Sequence, residues 1–418
     1  MNSRRVTFRN FDLFPKFYTC PVCSLKSSKV KLQINWGASK LKLIACSCGS
    51  VFFPSAKAPD YQLVEDEVSF YMRLDQAEGI DAAVSPLFVS PALDDFAVVD
   101  IGCGLGFSSD FIKFMGRELL SFDPSTAAKL SNDKLGIKIL DEYATRANTK
   151  TERQKIAYAS EVIEHVDDPL EFLVNLKAIV GDNGYAVITT PNANYITKDT
   201  TTELIYSMLA PSQHLFLLSE LSLNQLAVRA GFIWVKTWTA DERLFMLAGP
   251  QPIVLKNTFS RVKYIEYLET RLNTQTIEST LRHRAFGYRL FKEQVNAGDY
   301  EKANVTFEAL AKSYQSLGID ITQPIGVVSQ IQVTTKNGIE IPNVIDFPYN
   351  LALIFYFKAI LLICASHDKI SAKCFFQSAS AISEIYSEVF EIQNFQLFDL
   401  EIQNVRHWAI REIEKHCV

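Results

Sequence analysis

Three groups of residues have types and spacings that could do chemistry. In VVDIGCGLGFSS, residues 98–109, Asp100 closes an apolar run, and Gly102, Gly104 and Gly106 follow at alternate positions. Glycine tolerates positive φ and lets backbone approach a ligand closely. A glycine loop that opens a helix also leaves N–H groups free to face a carboxylate. The spacing D-x-G-x-G-x-G differs from the G-x-G-x-x-G of a dinucleotide site. Asp123 ends the next apolar run, where a carboxylate can accept both hydroxyls of a ribose.

The second group is Glu161, Glu164 and His165 in SEVIEHVDDP, with His214 further on in PSQHLFLLSELS. Positions i, i+3 and i+4 meet on a helix, and His214 could return over the same pocket. Such a set could act as a general base or hold a divalent ion such as Mg or Mn. Plain packing is the bland alternative. The third group is Cys20-Pro-Val-Cys23 with Cys46-Ser-Cys48, half of the eight cysteines. Two such turns can close a tetrahedral zinc site around four thiolates, although the second turn is one residue short of the usual spacing. Asn192, Asn194 and Tyr195, with Tyr71, are candidates for acceptor contacts; loop polarity explains them equally well.

The elements that must position these groups follow a strand–loop–helix rhythm from Phe96. FAVVDI (96–101), ELLSFD (118–123), IKIL (137–140), KIAYAS (155–160) and YAVITT (185–190) read as strands, and FIWVKTW (232–238) with RLFMLAG (243–249) as a closing hairpin. Between them PLEFLVNLKAIV (169–180) is an amphipathic helix capped by Asp168, and 218–232 is another that ends at Gly231. This alternation predicts a parallel sheet covered on both faces. Beyond Pro252 the patterns are mainly helical, with a strand-like stretch at 320–347 read as a hairpin turning at Asn337-Gly338. Leu351–Ala365 is apolar but short, and Lys358 interrupts it, so it reads as a buried helix rather than a membrane span.

The chain has 418 residues and a formal net charge of -5. That balance argues against binding long nucleic acid, which calls for a basic excess. The start of the chain lacks an apolar h-region, which with the absence of a span predicts a cytoplasmic protein.

The glycine loop, the acid of the second strand and the EVIEHV segment, in this order, resemble the class I S-adenosylmethionine-dependent methyltransferases over roughly residues 96–250. CGSVFFP after the second cysteine turn is similar to the zinc ribbon ahead of many bacterial methyltransferases of glycan-modification pathways. The resemblance implies an α/β fold: a Rossmann-like seven-stranded methyltransferase domain at 60–250, a small N-terminal zinc ribbon at 1–59 and a mainly helical C-terminal domain at 251–418. It implies that Gly102, Cys103, Gly104 and Gly106 line the amino-acid end of S-adenosylmethionine, that Asp100 braces the loop, and that Asp123 and Pro124 face the ribose. Ser160 and Glu161 join this cofactor surface, and Asp141 or Glu142 could approach the adenine. Glu161, His165 and His214 are the catalytic candidates. Glu161, Glu164, His165 and His214 match positions that bind a divalent ion in small-RNA and quinone-biosynthesis relatives. The expected acceptor is a sugar, nucleotide-sugar or other small polar metabolite, with a surface glycan suggested by analogy. An RNA or protein methyltransferase and a non-catalytic cofactor-binding scaffold are the alternatives. The C-terminal helices could support a homo-oligomer.

Overall fold

The computed structural model describes residues 5–8, 16–36, 39–54, 56–58, 73–75, 77, 80, 85–211, 213–272, 279–336, 348–393 and 399–416. Tyr71 and the Asn337-Gly338 turn lie outside the described residues.

The chain divides into two compact units. Residues 1–65 join 79–259, and residues 66–78 join 260–418. In the first unit the N-terminal stretch supplies β1 (Val6–Phe8), β2 (Tyr18–Thr19), β3 (Lys26–Ser27), β4 (Lys29–Trp36), β5 (Ser39–Ala45) and β6 (Val51–Phe52). The sheet that follows contains β7 (Ala97–Ile101), β8 (Leu119–Phe122), β9 (Lys155–Ser160) and β10 (Tyr185–Pro191). A two-residue strand, β11 (Phe216–Leu217), precedes the terminal pair β12 (Trp234–Ala240) and β13 (Arg243–Gly249).

The larger sheet has the order β12-β13-β10-β9-β7-β8. Strands β7 to β10 run parallel, and β13 returns antiparallel to β10 and pairs with β12 at the edge. Among the described residues it has six strands. IKIL contributes one bridge, Leu140 to Phe122, instead of a strand. Leu140 bonds to Ser121 and Asp123, whereas the Asn132 side chain takes both backbone groups of Ile139 at 2.8 Å, which leaves them unavailable to a strand ladder.

All five residues of β7 are buried, as expected for a parallel strand covered on both faces. Helices α1 (Phe107–Phe114), α2 (Thr126–Leu135), α3 (Pro169–Val180), α4 (Thr202–Leu209) and α5 (Glu220–Arg229) connect the strands. The caps follow the sequence. Asp168 accepts from the N–H groups of Leu170 and Glu171 at 2.9 and 3.0 Å, ahead of Pro169 at the first helical position. Ser219 and Ser222 form a capping box at the start of α5.

The cysteine segment forms a second sheet, β1-β4-β5-β6-β11, whose last strand comes from the methyltransferase-like part of the chain. It is therefore not a free-standing 1–59 domain. Cys20, Val22, Cys46, Cys48 and Phe52 share one apolar cluster with Ile163, Leu215, Phe216, Leu223 and Leu226.

The second unit is helical: α6 (Arg261–Leu272), α7 (Ser279–Ala297), α8 (Tyr300–Gln315), α9 (Pro324–Lys336), α10 (Leu351–Leu361), α11 (Lys369–Gln393) and α12 (Asp399–His416). Gly298, at φ 77°, turns α7 into α8. The expected hairpin at 320–347 is instead helix α9 as far as Lys336; a full turn of apolar spacing in IGVVSQI outweighs the β-branched composition. Helix α10 is the centre of this core, packed against α7, α11 and α12. Lys358 is accommodated there with its Nζ 4.3 Å from the Phe307 ring centroid and 3.1 Å from Asn304 Oδ1. Among the described residues no helix is long and apolar enough to cross a membrane.

Candidate active site

The glycine loop follows β7 and crosses the carboxyl edge of the sheet, where open α/β folds bind ligands. Gly102, Gly104 and Gly106 all have positive φ, at 71°, 56° and 75°. Gly106 occupies the cap of α1 with no side-chain cap bond, so the first turn presents bare N–H groups. Asp100 braces this turn: its Oδ2 accepts from Ser108 Oγ at 3.0 Å and Ser109 Oγ at 2.7 Å. Ser121 Oγ donates on to Ser109 at 2.8 Å. Burial raises the Asp100 carboxyl to about 6, against the pull of the two serines. Burial, with Asp100 and Asp123 nearby, also pushes the Cys103 thiol well up.

Asp123 ties the loop to β8. Its Oδ2 accepts from the Gly104 N–H at 2.7 Å and its Oδ1 from Ser125 N–H at 2.8 Å. A carboxylate offers about four lone-pair sites, so two such bonds leave room for a diol. Asp141, expected near an adenine, is half exposed and pairs with Lys129 at 3.1 Å.

The Glu/His group assembles differently from the helical spacing. Only Ile163–His165 form a single 3-10 turn, and Glu161 sits before it in the left-handed region at φ 56°. Two consecutive threonines at the end of β10 separate the two glutamates. Their side chains alternate across the strand. Thr189 Oγ1 donates to Glu161 Oε1 at 2.9 Å and lies 2.7 Å from Ser160 Oγ. Thr190 Oγ1 donates to Glu164 Oε2 at 2.9 Å. The donor atoms of Glu164, His165 and His214 come within 4.8 Å of one another, a group that Glu161 does not join.

Glu164 is fully buried, and among the described residues its Oε1 has no hydrogen-bond partner. That oxygen lies 3.9 Å from His214 Nε2. The other ring nitrogen, Nδ1, lies 2.7 Å from the Met208 carbonyl oxygen and must donate to it, which leaves Nε2 with a lone pair. Burial lowers His214 to about 4. Burial first, then the charge of Glu161, raises the Glu164 carboxyl well above its ordinary value. Two lone pairs thus face each other in a dry place. A proton on the carboxyl or a cation between the two atoms resolves the conflict. The His165 ring stands edge-on to His214, centroids 4.6 Å apart.

The acceptor candidates fare unevenly. The Asn192 amide accepts from Asn194 N–H at 3.0 Å and donates to Thr239 Oγ1 at 3.1 Å, so it works within the fold. Asn194 and Tyr195 are exposed. The partners that sequence reasoning missed, Thr189, Thr190 and the Met208 carbonyl, gave one readable signal, the Thr-Thr pair closing a buried strand.

The four cysteines converge. Cys23 and Cys46 Sγ lie 3.4 Å apart, Cys20 and Cys48 Sγ 3.9 Å, and all four within 4.8 Å. Zn–S bonds of about 2.3 Å in a tetrahedron give S–S edges of about 3.8 Å. Hydrogen bonds from Cys20 and Ser50 lower Cys48 to about 4, whereas burial raises Cys23 to about 11.

Residues 71–237 match the family model described as "Methyltransferase domain". The chain is similar to the ubiquinone biosynthesis O-methyltransferase of Bradyrhizobium diazoefficiens, 36% identical over 109 residues that cover 25% of this chain and 43% of that protein. The namesake from Rhodopseudomonas palustris strain HaA2 is 35% identical over the same shares. The chain thus matches less than half the length of these relatives. A solved Thermotoga maritima structure, a possible histamine N-methyltransferase, aligns at 18% identity and TM-score 0.32 over 43% of this chain and 92% of that one. The chain carries a class I S-adenosylmethionine-dependent methyltransferase domain. Within this methyltransferase domain the glycine loop and the Glu164–His214 pair lie at the same edge of the sheet, after β7, β9 and β10 respectively.

Proposed function

We propose that this chain transfers the methyl group of S-adenosylmethionine to an oxygen of a small polar acceptor, with a sugar or nucleotide-sugar as the leading class. The loop of Gly102, Cys103, Gly104 and Gly106 holds the cofactor's amino-acid end, Asp123 with Pro124 its ribose, and Ser160 and Glu161 the adjoining surface. The carrying observation is the lone pair of His214 Nε2, facing a buried carboxyl 3.9 Å away. A neutral imidazole held in one tautomer can take a proton from an acceptor hydroxyl as that oxygen attacks the methyl carbon. The rest of the rate comes from holding the two reactants in line. The relatives are O-methyltransferases by name, which supports oxygen as the acceptor atom.

The same donor set fits a divalent ion of the Mg or Mn kind, because Glu164 Oε1 and His214 Nε2 are close enough to share one. Glu164, His165 and His214 would hold it. It would supply a lowered pKa at a bound hydroxyl. Cys20, Cys23, Cys46 and Cys48 fit structural zinc by their sulfur–sulfur distances.

The test is purified protein incubated with methyl-tritiated S-adenosylmethionine and a whole-cell extract, then fractionated. Label in the small-molecule fraction is the expected result. Label in RNA or protein would replace the acceptor class. No label anywhere, with S-adenosylhomocysteine still binding in a calorimeter, would make the domain a scaffold. Chelation should lower turnover, with Mg or Mn restoring it; indifference to both removes the ion. Zinc should be present by atomic emission and lost in Cys20→Ala.

A further inference from the structure

We propose that the four-cysteine unit is a positioning element for His214, acting through strand β6 and the ends of helix α5 rather than as a separate appendage. The inference rests on the proposed role of His214.

Strand β6 begins directly after the second cysteine turn. It pairs antiparallel with β11, Phe52 opposite Phe216 and Val51 opposite Leu217. The N–H of Phe53 adds a bond to the Leu215 carbonyl at 3.0 Å. Among the described residues β6 is the only strand with which β11 pairs. The segment after His214 is thus held from two sides: Leu215 N–H donates to the Glu164 carbonyl at 2.9 Å, and the cysteine unit holds the other side.

Helix α5, which follows, is gripped at both ends. At its start Ser219 Oγ donates to the Cys48 carbonyl at 3.5 Å. A Cβ on Gly49 would stand 2.3 Å from Ser219 Oγ, so the turn can approach only as glycine, at φ 91°. At its end Arg229 Nη1 donates at 3.1 Å to the carbonyl of Val22, which lies between the first two cysteines. Beyond His165, Asp167 Oδ1 accepts from Ala58 N–H at 3.1 Å.

The cofactor loop is braced by hydrogen bonds from its own stretch of chain. The hydrogen bonds of Asp100 and Asp123 run to Ser108, Ser109, Gly104 and Ser125. The two cysteine turns, Cys20–Cys23 and Cys46–Cys48, meet at their sulfurs, so the proposed zinc would fix the turn from which β6 starts. Losing the metal would free β6, release β11 and move His214, while the glycine loop keeps its shape.

The experiment compares wild type, Cys46→Ser and Gly49→Ala. Gly49→Ala keeps every cysteine, crowds Ser219 and strains the turn at φ 91°. Four quantities are read: metal content, S-adenosylhomocysteine affinity by calorimetry, turnover, and the His214 ring resonance by NMR, assigned with His214→Gln. In Cys46→Ser we expect metal loss, affinity within about threefold of wild type, a displaced His214 resonance and turnover down about 10²-fold, the scale of a 1 Å misplacement. Gly49→Ala should retain metal and move the same resonance less. If Cys46→Ser fails to fold, Gly49→Ala decides alone. An unmoved His214 resonance in the folded variants overturns the proposal, as does affinity that falls in step with turnover. Should His214→Ala turn over at the wild-type rate, the reading of His214 as base fails, and the resonance still judges the positioning role.

Discussion

The glycine loop draws its bracing from within residues 100–140: Asp100 on two serines of α1, Asp123 on Gly104 and Ser125, and Leu140 on Ser121. The histidine side of the site has one local brace, the Met208 carbonyl 2.7 Å from His214 Nδ1, and otherwise draws on distant segments. Glu164 comes from a turn after β9, Thr190 from the end of β10, His214 from a loop after α4, and the support behind His214 from residues 46–53. One half is a local device and the other a tertiary one. On the positioning role proposed for the cysteine unit, damage there should spare the local half and disturb the other.

The largest effect should separate the halves cleanly. His214→Ala and Glu164→Gln should each lower kcat by about 10²- to 10⁴-fold, the range for a lost proton-transfer group. S-adenosylhomocysteine affinity should stay within about twofold, since neither side chain braces the loop. Initial rates at saturating cofactor, alongside calorimetry, measure both numbers. If affinity drops as far as kcat, the two halves are one device and the comparison is wrong.

The halves touch at Gly102, where a Cβ would stand 2.6 Å from Val162 Cγ2, two residues before Glu164. Gly102→Ala should therefore damage both. A side chain at φ 71° costs about 1–2 kcal/mol, and overpacking a tight contact costs about 1–3 kcal/mol more. Adding Val162→Ala should return the packing part and leave the backbone part. Urea unfolding of the single and double variants measures the difference. A double variant no more stable than Gly102→Ala would mean that Val162 is not what the glycine accommodates.

The same contrast explains what could be read from the sequence. Asp100, the three glycines and Asp123 sit within one strand–loop–helix–strand stretch, so their spacing carries their geometry. The Asp168 cap and the β12–β13 hairpin were legible for the same local reason. His214 could be named as a candidate, but its tautomer depends on the Met208 carbonyl, and its neighbour Glu164 depends on Thr190. The first contact spans six residues and the second 26, and neither falls in a repeating pattern that the sequence displays. IKIL has the composition of a strand yet forms a single bridge, and 324–336 has β-branched residues yet is helical. The Asn132 side chain takes the Ile139 backbone groups in the first, and the helical spacing of the buried Val327 and Ile331 prevails in the second. The cysteines advertised their convergence but not that β6 would complete its sheet with residues 216–217.

The last effect confines itself to the loop half and follows from Asp100. Its carboxyl is raised from 3.8 to about 6 by burial, so the folded state holds this proton more tightly than the unfolded one. The resulting stability is fully present below pH 3.8, is lost as pH rises through the window up to about 6, and is constant above it. A shift of this size corresponds to about 3 kcal/mol across the window. Asp100→Asn keeps an oxygen to accept from Ser108 and Ser109 but cannot titrate. The stability of wild type minus that of Asp100→Asn, from urea midpoints at pH 4, 5, 6 and 7, should therefore fall with pH and then level off. A difference that is flat across the four points would show that Asp100 stays ionised throughout. The His214 ring resonance should be the same in both proteins at pH 7, since no bond of Asp100 reaches that side.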